Sequence, residues 1–251
     1  MEYIFSNDEF IMLTIRHGAT RLVGIPDKNN IGAMREARLG EKWKAVSAAL
    51  GDKVTDSGVL AAVDCYINAY EFIDIQIIGD EEVTETYYLS KKGVCNISQL
   101  SGDRLRIRLF RDKTSIINLL IKGSDTLPAR DMPEINTNKA ALTDKNYRLF
   151  NLNIKNTPKA AQILESCGME KRIALDAAKG FNAKKRFIVL KSFELKENEI
   201  KPKISIYYYG GIYIFRIRIF EPDKDFAEKP VCEVQALTKD IFVKGINKLF
   251  K

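Results

Sequence analysis

Twice along this chain the spacing of apolar residues changes in the same order, from three-and-four to every second residue and back again. The first period suits an amphipathic helix and the second a half-buried strand, so this order constrains the fold more than any single motif. The first pass opens on a helix, where Ser6 followed by Glu9 makes a capping box ahead of Phe10, Ile11 and Leu13. After the turn-forming GIPDKNN, a second helix is expected from about Ile31 to Leu50, carrying Met34, Trp43 and Val46, with Gly51 as its stop. Val59, Val63, Tyr66 and Ile67 mark a third, capped by Thr55 or Asp56. The period then drops to two in Ile73, Ile75 and Ile77, and continues through TETYYLS, GVCNISQLS and RLRIRLFR. Ile116, Ile117 and Leu120 close the half with a short helix ended by Gly123.

Residues 124–143 hold Pro128 and Pro133 and show no apolar period, which reads as a linker. The second pass begins with a helix at Tyr147–Leu152, one capped by Thr157 with Pro158 at its first position, and one at about Glu170–Lys179. Four strand candidates follow: KRFIVLKSFEL, KPKISIYYY, IYIFRIRIF and PVCEVQAL. Thr238 then caps a last helix with the stripe Ile241, Phe242, Gly245, Ile246, Leu249 and Phe250. The expected fold is α+β: two quasi-equivalent halves, 1–123 and 144–251, arising by internal duplication. Each has helices, a four-stranded antiparallel meander and a closing helix, and the halves pack with pseudo-twofold symmetry.

Two strands alternate arginine with bulky apolar residues, RLRIRLFR at 104–111 and YIFRIRIF at 213–220. The first is the fourth strand of its half and the second is the third of its own, so their likeness is partly one of composition. Gly210-Gly211 predicts a two-residue hairpin that opposes Tyr209 to Ile212 and Tyr207 to Ile214. One face then carries Ile204, Ile206, Tyr208, Tyr213, Phe215, Ile217 and Ile219, a core face. The other carries Tyr207, Tyr209, Ile214, Arg216, Arg218 and Phe220. Aromatics interleaved with arginine are enriched at the centres of protein interfaces, and they also serve sheet-based RNA binders. No K/R-G-F/Y-G/A-F motif supports RNA, so protein binding comes ahead of nucleic acid. The bland alternative is that helices from the other half cover this face.

The net charge of +7 is uneven: residues 1–125 hold 16 Lys and Arg against 18 Asp and Glu (−2), while 126–251 hold 24 against 15 (+9). The basic half is either a nucleic-acid or acidic-partner face or a solubilising surface. No phosphate loop, dinucleotide fingerprint, nucleophile elbow or HExxH is present. The single histidine, His17, fits the end of the first helix, and four scattered cysteines form no zinc or disulfide pattern. Asp27 is a turn former before it is a ligand, and Asp80-Glu81-Glu82 reads as a solvated loop. No metal and no cofactor are expected. An enzyme using carboxylates that meet only in the fold is the third reading, after chaperone and nucleic-acid binder. With no long apolar run and no basic start, membrane insertion is not expected and a cytoplasmic location is.

The order of elements resembles the EspG family of type VII (ESX) secretion-associated proteins. The resemblance rests on FSNDEFIML at the first helix, Ile25-Pro26, the helix with Trp43 and Ala48–Leu50, and the closing ALTKDIFVKGINKLF. The lysine-rich composition departs from actinobacterial members and points to a Firmicutes-type relative. The resemblance implies a non-enzymatic cytosolic chaperone that keeps a helical secreted client soluble, binding through the central sheet and neighbouring C-terminal helices. Tyr207, Tyr209, Ile214, Arg216, Arg218 and Phe220, with the last helix, are the matching candidates here. A homodimer is left open.

Overall fold

In this computed structural model the residues described are 2–79, 82–122, 124, 138–183, 186–196, 199–220 and 229–250. The chain begins with a strand, β1 (Glu2–Ser6), and only then enters α1 (Asn7–Arg16). Ser6 accepts from the Glu9 N–H while Glu9 accepts from the Ser6 N–H, the capping box read from the sequence, and His17 follows as the C-cap. The expected long second helix is divided: a 3₁₀ turn (Ile31–Ala33) precedes α2 (Glu36–Leu50). Asp27 holds that turn by accepting from the Ile31 and Gly32 N–H groups. Asp56 caps α3 (Ser57–Ile67). Strands β2 (Glu71–Gly79), β3 (Val83–Ser90), β4 (Gly93–Leu100) and β5 (Arg104–Phe110) follow, then α4 (Thr114–Ile121).

A strand again precedes the helices further on: β6 (Lys139–Leu142), α5 (Asp144–Leu152), α6 (Thr157–Ser166) and α7 (Lys171–Ala183). Then come β7 (Arg186–Lys196), β8 (Glu199–Tyr209), β9 (Ile214–Ile219), β10 (Cys232–Leu237) and α8 (Lys239–Leu249). The fold is thus α+β, with an antiparallel sheet ordered β1-β5-β4-β3-β2-β7-β8-β9-β10-β6. The N-cap of α6 is Asn156 rather than Thr157, because the Asn156 carboxamide oxygen reaches the Lys159 N–H. Residues 139–142, expected within the linker, form β6, and residues 125–137 lie outside the described set, as do Gly123, Asp80 and Glu81.

The chain divides into two compact units. One comprises Met1–Asp74, Thr84–Lys113 and Ser192–Lys203. In it α1, α2 and α3 pack on one sheet face around Phe5, Phe10, Tyr66, Phe72, Tyr88, Ile97 and Ile107. Phe193 stacks on Phe72 with ring centroids 4.4 Å apart, and the Leu195 N–H donates to the Tyr70 carbonyl. The irregular stretch after α1 is pinned at Val23, whose carbonyl accepts from both Tyr66 and Tyr88. Gly24 follows at φ +73, where any Cβ would strike the Tyr88 hydroxyl.

The other unit comprises Ile75–Val83, Thr114–Lys191 and Ile204–Lys251. Here α5, α6 and α7 cover one sheet face around Phe150, Leu164, Tyr208, Phe215 and Val234. The β8–β9 connection is four residues long, not two: Tyr209 opposes Ile214 and Tyr207 opposes Arg216. The cause lies outside the hairpin. Asp176 on α7 accepts from the Gly211, Ile212 and Tyr213 N–H groups at 2.8, 3.1 and 3.1 Å, spreading the loop around its carboxylate. Because the change in register is two residues, every side chain keeps its expected face. Ile204 and Ile219, expected in the core, are instead exposed at the far end of this strand pair.

Candidate functional site

The candidate face lies on the second unit's sheet, opposite α5–α7. Its rows follow from strand pairing: Tyr209, Ile214 and Leu237 are neighbours, then Tyr207, Arg216 and Gln235, then Arg218 and Glu233. Thr238 caps α8 directly after β10, so the chain turns back over this face. Phe242 of α8 packs edge-on against Tyr207 at 5.2 Å and reaches Tyr209 at 6.2 Å. The Arg186 guanidinium lies 5.7 Å from the centre of the Tyr209 ring and donates to the Leu119 carbonyl of α4.

The six candidate residues therefore split. Tyr207, Tyr209 and Ile214 are buried, Arg216 is half-buried, and Arg218 and Phe220 are exposed. Of the two readings left open for this face, helix cover holds at its apolar centre, where Phe242 of α8, a helix of the same half, packs on Tyr207 and Tyr209. Burial raises the Tyr207 pKa, keeping it a neutral hydroxyl. Burial, and then the adjacent Arg218 charge, lower the pKa of Arg216. Arg216 donates to the Gln235 side-chain oxygen, while its Nε is buried with no hydrogen-bond partner among the described residues. Glu233 gathers Lys139 at 2.8 Å and Arg218 at 3.6 Å.

The arginines of β5 stand on an equally polar face in the first unit. Glu85 is buried and takes Arg108 at 2.8 Å, Arg106 at 3.6 Å, Asn96 at 2.6 Å and Ser98 at 2.5 Å. Arg108 also donates to Asn96 at 2.9 Å. Beside them, burial and the Glu85 charge push the Tyr87 hydroxyl up to about 12. Arg106, Arg108, Arg216 and Arg218 are thus engaged by carboxylates and amides of neighbouring strands, while Arg104 donates to the Ser101 carbonyl in the preceding turn. Sequence reading missed these partners. Asn96 and Ser98 sit at alternate positions in β4, which marks a polar face, but Glu85 reveals its role only once β3 pairs with β4.

A groove of about 740 Å³ lies beside the start of α2, lined by Asn29, Asn30, Met34, Arg35, Arg38 and Glu41 among others. It holds one carboxylate, not the pair that acid–base chemistry would use. Among the described residues no cluster of three or more His, Cys, Asp or Glu side chains is arranged to hold a metal ion. Cys65 and Cys95 are buried, and burial raises both thiols.

No protein-family model matches this sequence, and no curated protein matches it. The fold does match a solved structure, that of the Mycobacterium tuberculosis type VII secretion system chaperone EspG5 in complex with the PE25–PPE41 dimer. The match has a TM-score of 0.62 at 9% sequence identity and covers 98% of this chain and 95% of that one. The resemblance expected from the order of elements is therefore present in the fold.

Proposed function

We propose that this protein is a non-enzymatic chaperone or adaptor for a secreted client of a type VII system, acting in the cytoplasm. The observation that carries the reading is the fold-length match to a type VII secretion system chaperone whose own structure holds the PE25–PPE41 dimer. The client would be helical, and the two halves, recurring in the same element order, would be quasi-equivalent with residues 124–143 between them. Holding a client needs only differential binding of an apolar patch rimmed by charge. Arg216, Arg218 and Phe220 would contact the client, with Tyr207, Tyr209 and Ile214 as the buried floor that keeps them in place. The exposed Arg218 guanidinium offers such a client a charge-assisted donor.

The test is co-expression with the small helical secreted proteins of the host, followed by size exclusion and titration. A stoichiometric complex is expected. Phe220→Ser combined with Arg218→Gln should weaken it by about tenfold, a typical cost for an interface anchor, without shifting the melting midpoint. Full affinity in that variant would move the contact elsewhere. No complex with any helical secreted protein would end the chaperone reading.

A further inference from the structure

A second surface of the same unit lies on the opposite side of its sheet, on the outer stripes of α5 and α7. Phe150 of α5 and Phe181 of α7 meet edge-on at 5.1 Å, and Asn182 of α7 donates to the Lys155 carbonyl just beyond α5 at 3.4 Å and to Thr157 of α6 at 3.1 Å. Both bury their inner residues in one core, which leaves their exposed residues on the side away from it. That outer face carries three leucines in water: Leu152 is 82% exposed, Leu149 40% and Leu175 39%. Around them stand Lys145, Lys155, Lys171, Arg172 and Lys179, none in an ion pair among the described residues. Of the nearby acids, Asp144 is taken by Arg148 at 2.9 Å, Asp176 turns inward to the hairpin, and Glu170 accepts from the Arg172 backbone N–H at 3.3 Å.

Three kinds of partner answer to positive charge, and the side chains separate them. Protein interface cores favour aromatics, methionine and arginine and are depleted in lysine; this face is lysine with leucine. Single-stranded nucleic acid is gripped by stacking aromatics, and none stands among these exposed residues. Leucine on the crest with lysine on the flanks is the composition of surfaces that rest on anionic bilayers. Each lysine or arginine near such a membrane strengthens binding roughly fivefold. We propose that the outer face of α5 and α7 docks on an anionic lipid surface, seating Leu149, Leu152 and Leu175 among the acyl chains.

The measurement is co-sedimentation of the full chain with phosphatidylcholine vesicles, and with the same vesicles containing phosphatidylglycerol, at low and high salt. Binding only to the anionic vesicles, weakened by salt, is expected. Leu152→Asp and the double change Lys155→Glu/Lys179→Glu should each reduce binding about tenfold or more, with melting midpoints unchanged because all three side chains are exposed. Equal binding to both vesicle types, or none, overturns the proposal. So does retention of full binding in Leu152→Asp, which would leave only diffuse charge. Preferential capture of single-stranded DNA over anionic vesicles would assign the face to nucleic acid instead. Vesicle binding needs no client, so its failure and that of the chaperone reading are distinguishable.

Discussion

Asp176 shows how one side chain decides what its neighbours become. Its carboxylate is buried on α7 and is the acceptor for three consecutive backbone N–H groups of the β8–β9 loop. Gly210 lies so close that an added Cβ would press on this carboxylate and stand 2.8 Å from the Phe215 ring. Asp176→Ala leaves three loop donors without their acceptor and should lower unfolding stability by about 3 kcal/mol. Gly210→Ala should cost about 2 kcal/mol by overpacking. Denaturant titration of both variants checks this, and the double variant should lose less than the sum because the sites share one contact. Sequence reading found the glycines but not the loop length, since the loop's partner lies 35 residues upstream of Gly211.

At the scale of elements, α2 is the weak member. Of its fifteen residues only Leu50 is fully buried, while Leu39, Trp43 and Val46 are half-buried against the core. Arg35 at its N-cap provides no side-chain acceptor, and Gly40 sits in its interior with nothing within 4 Å of the place a Cβ would occupy. Gly40→Ala and Arg35→Asp should each stabilise the protein by about 0.5–1 kcal/mol. Amide exchange should show α2 opening before α1 and α3, and slowing in the double variant. Most of the helices and the eight meander strands are legible in the sequence because each carries its own apolar period, and α1, α3 and α8 also carry a capping side chain. The strands β1 and β6 are not, being five and four residues long. Such short strands acquire meaning only from distant partners: Tyr3 faces Ile107, and Ala140 faces Val234. The candidate face was legible as a partition of side chains, since alternation alone fixes it. Its burial was not, because that depends on where Phe242 lands.

Across the whole molecule, the two compact units do not follow the two halves of the sequence. The first takes Ser192–Lys203 from the second half, and Phe193 and Leu195 from that segment complete its core. Residues 1–123 and 144–251 expressed separately should therefore each fail to reach the native state, and co-expression should restore a stable assembly. Circular dichroism and thermal melting of the fragments, alone and together, decide it; an independently folded 1–123 fragment would show that the segment is dispensable. The same arrangement sets a schedule for synthesis. After Lys113 leaves the ribosome, ninety further residues must be made before Lys203 closes the first core, about 5–20 s at ordinary elongation rates. Through that interval the Phe72 side chain waits for its stacking partner, so a newly made chain is most exposed to aggregation and proteolysis while its second half is still being made.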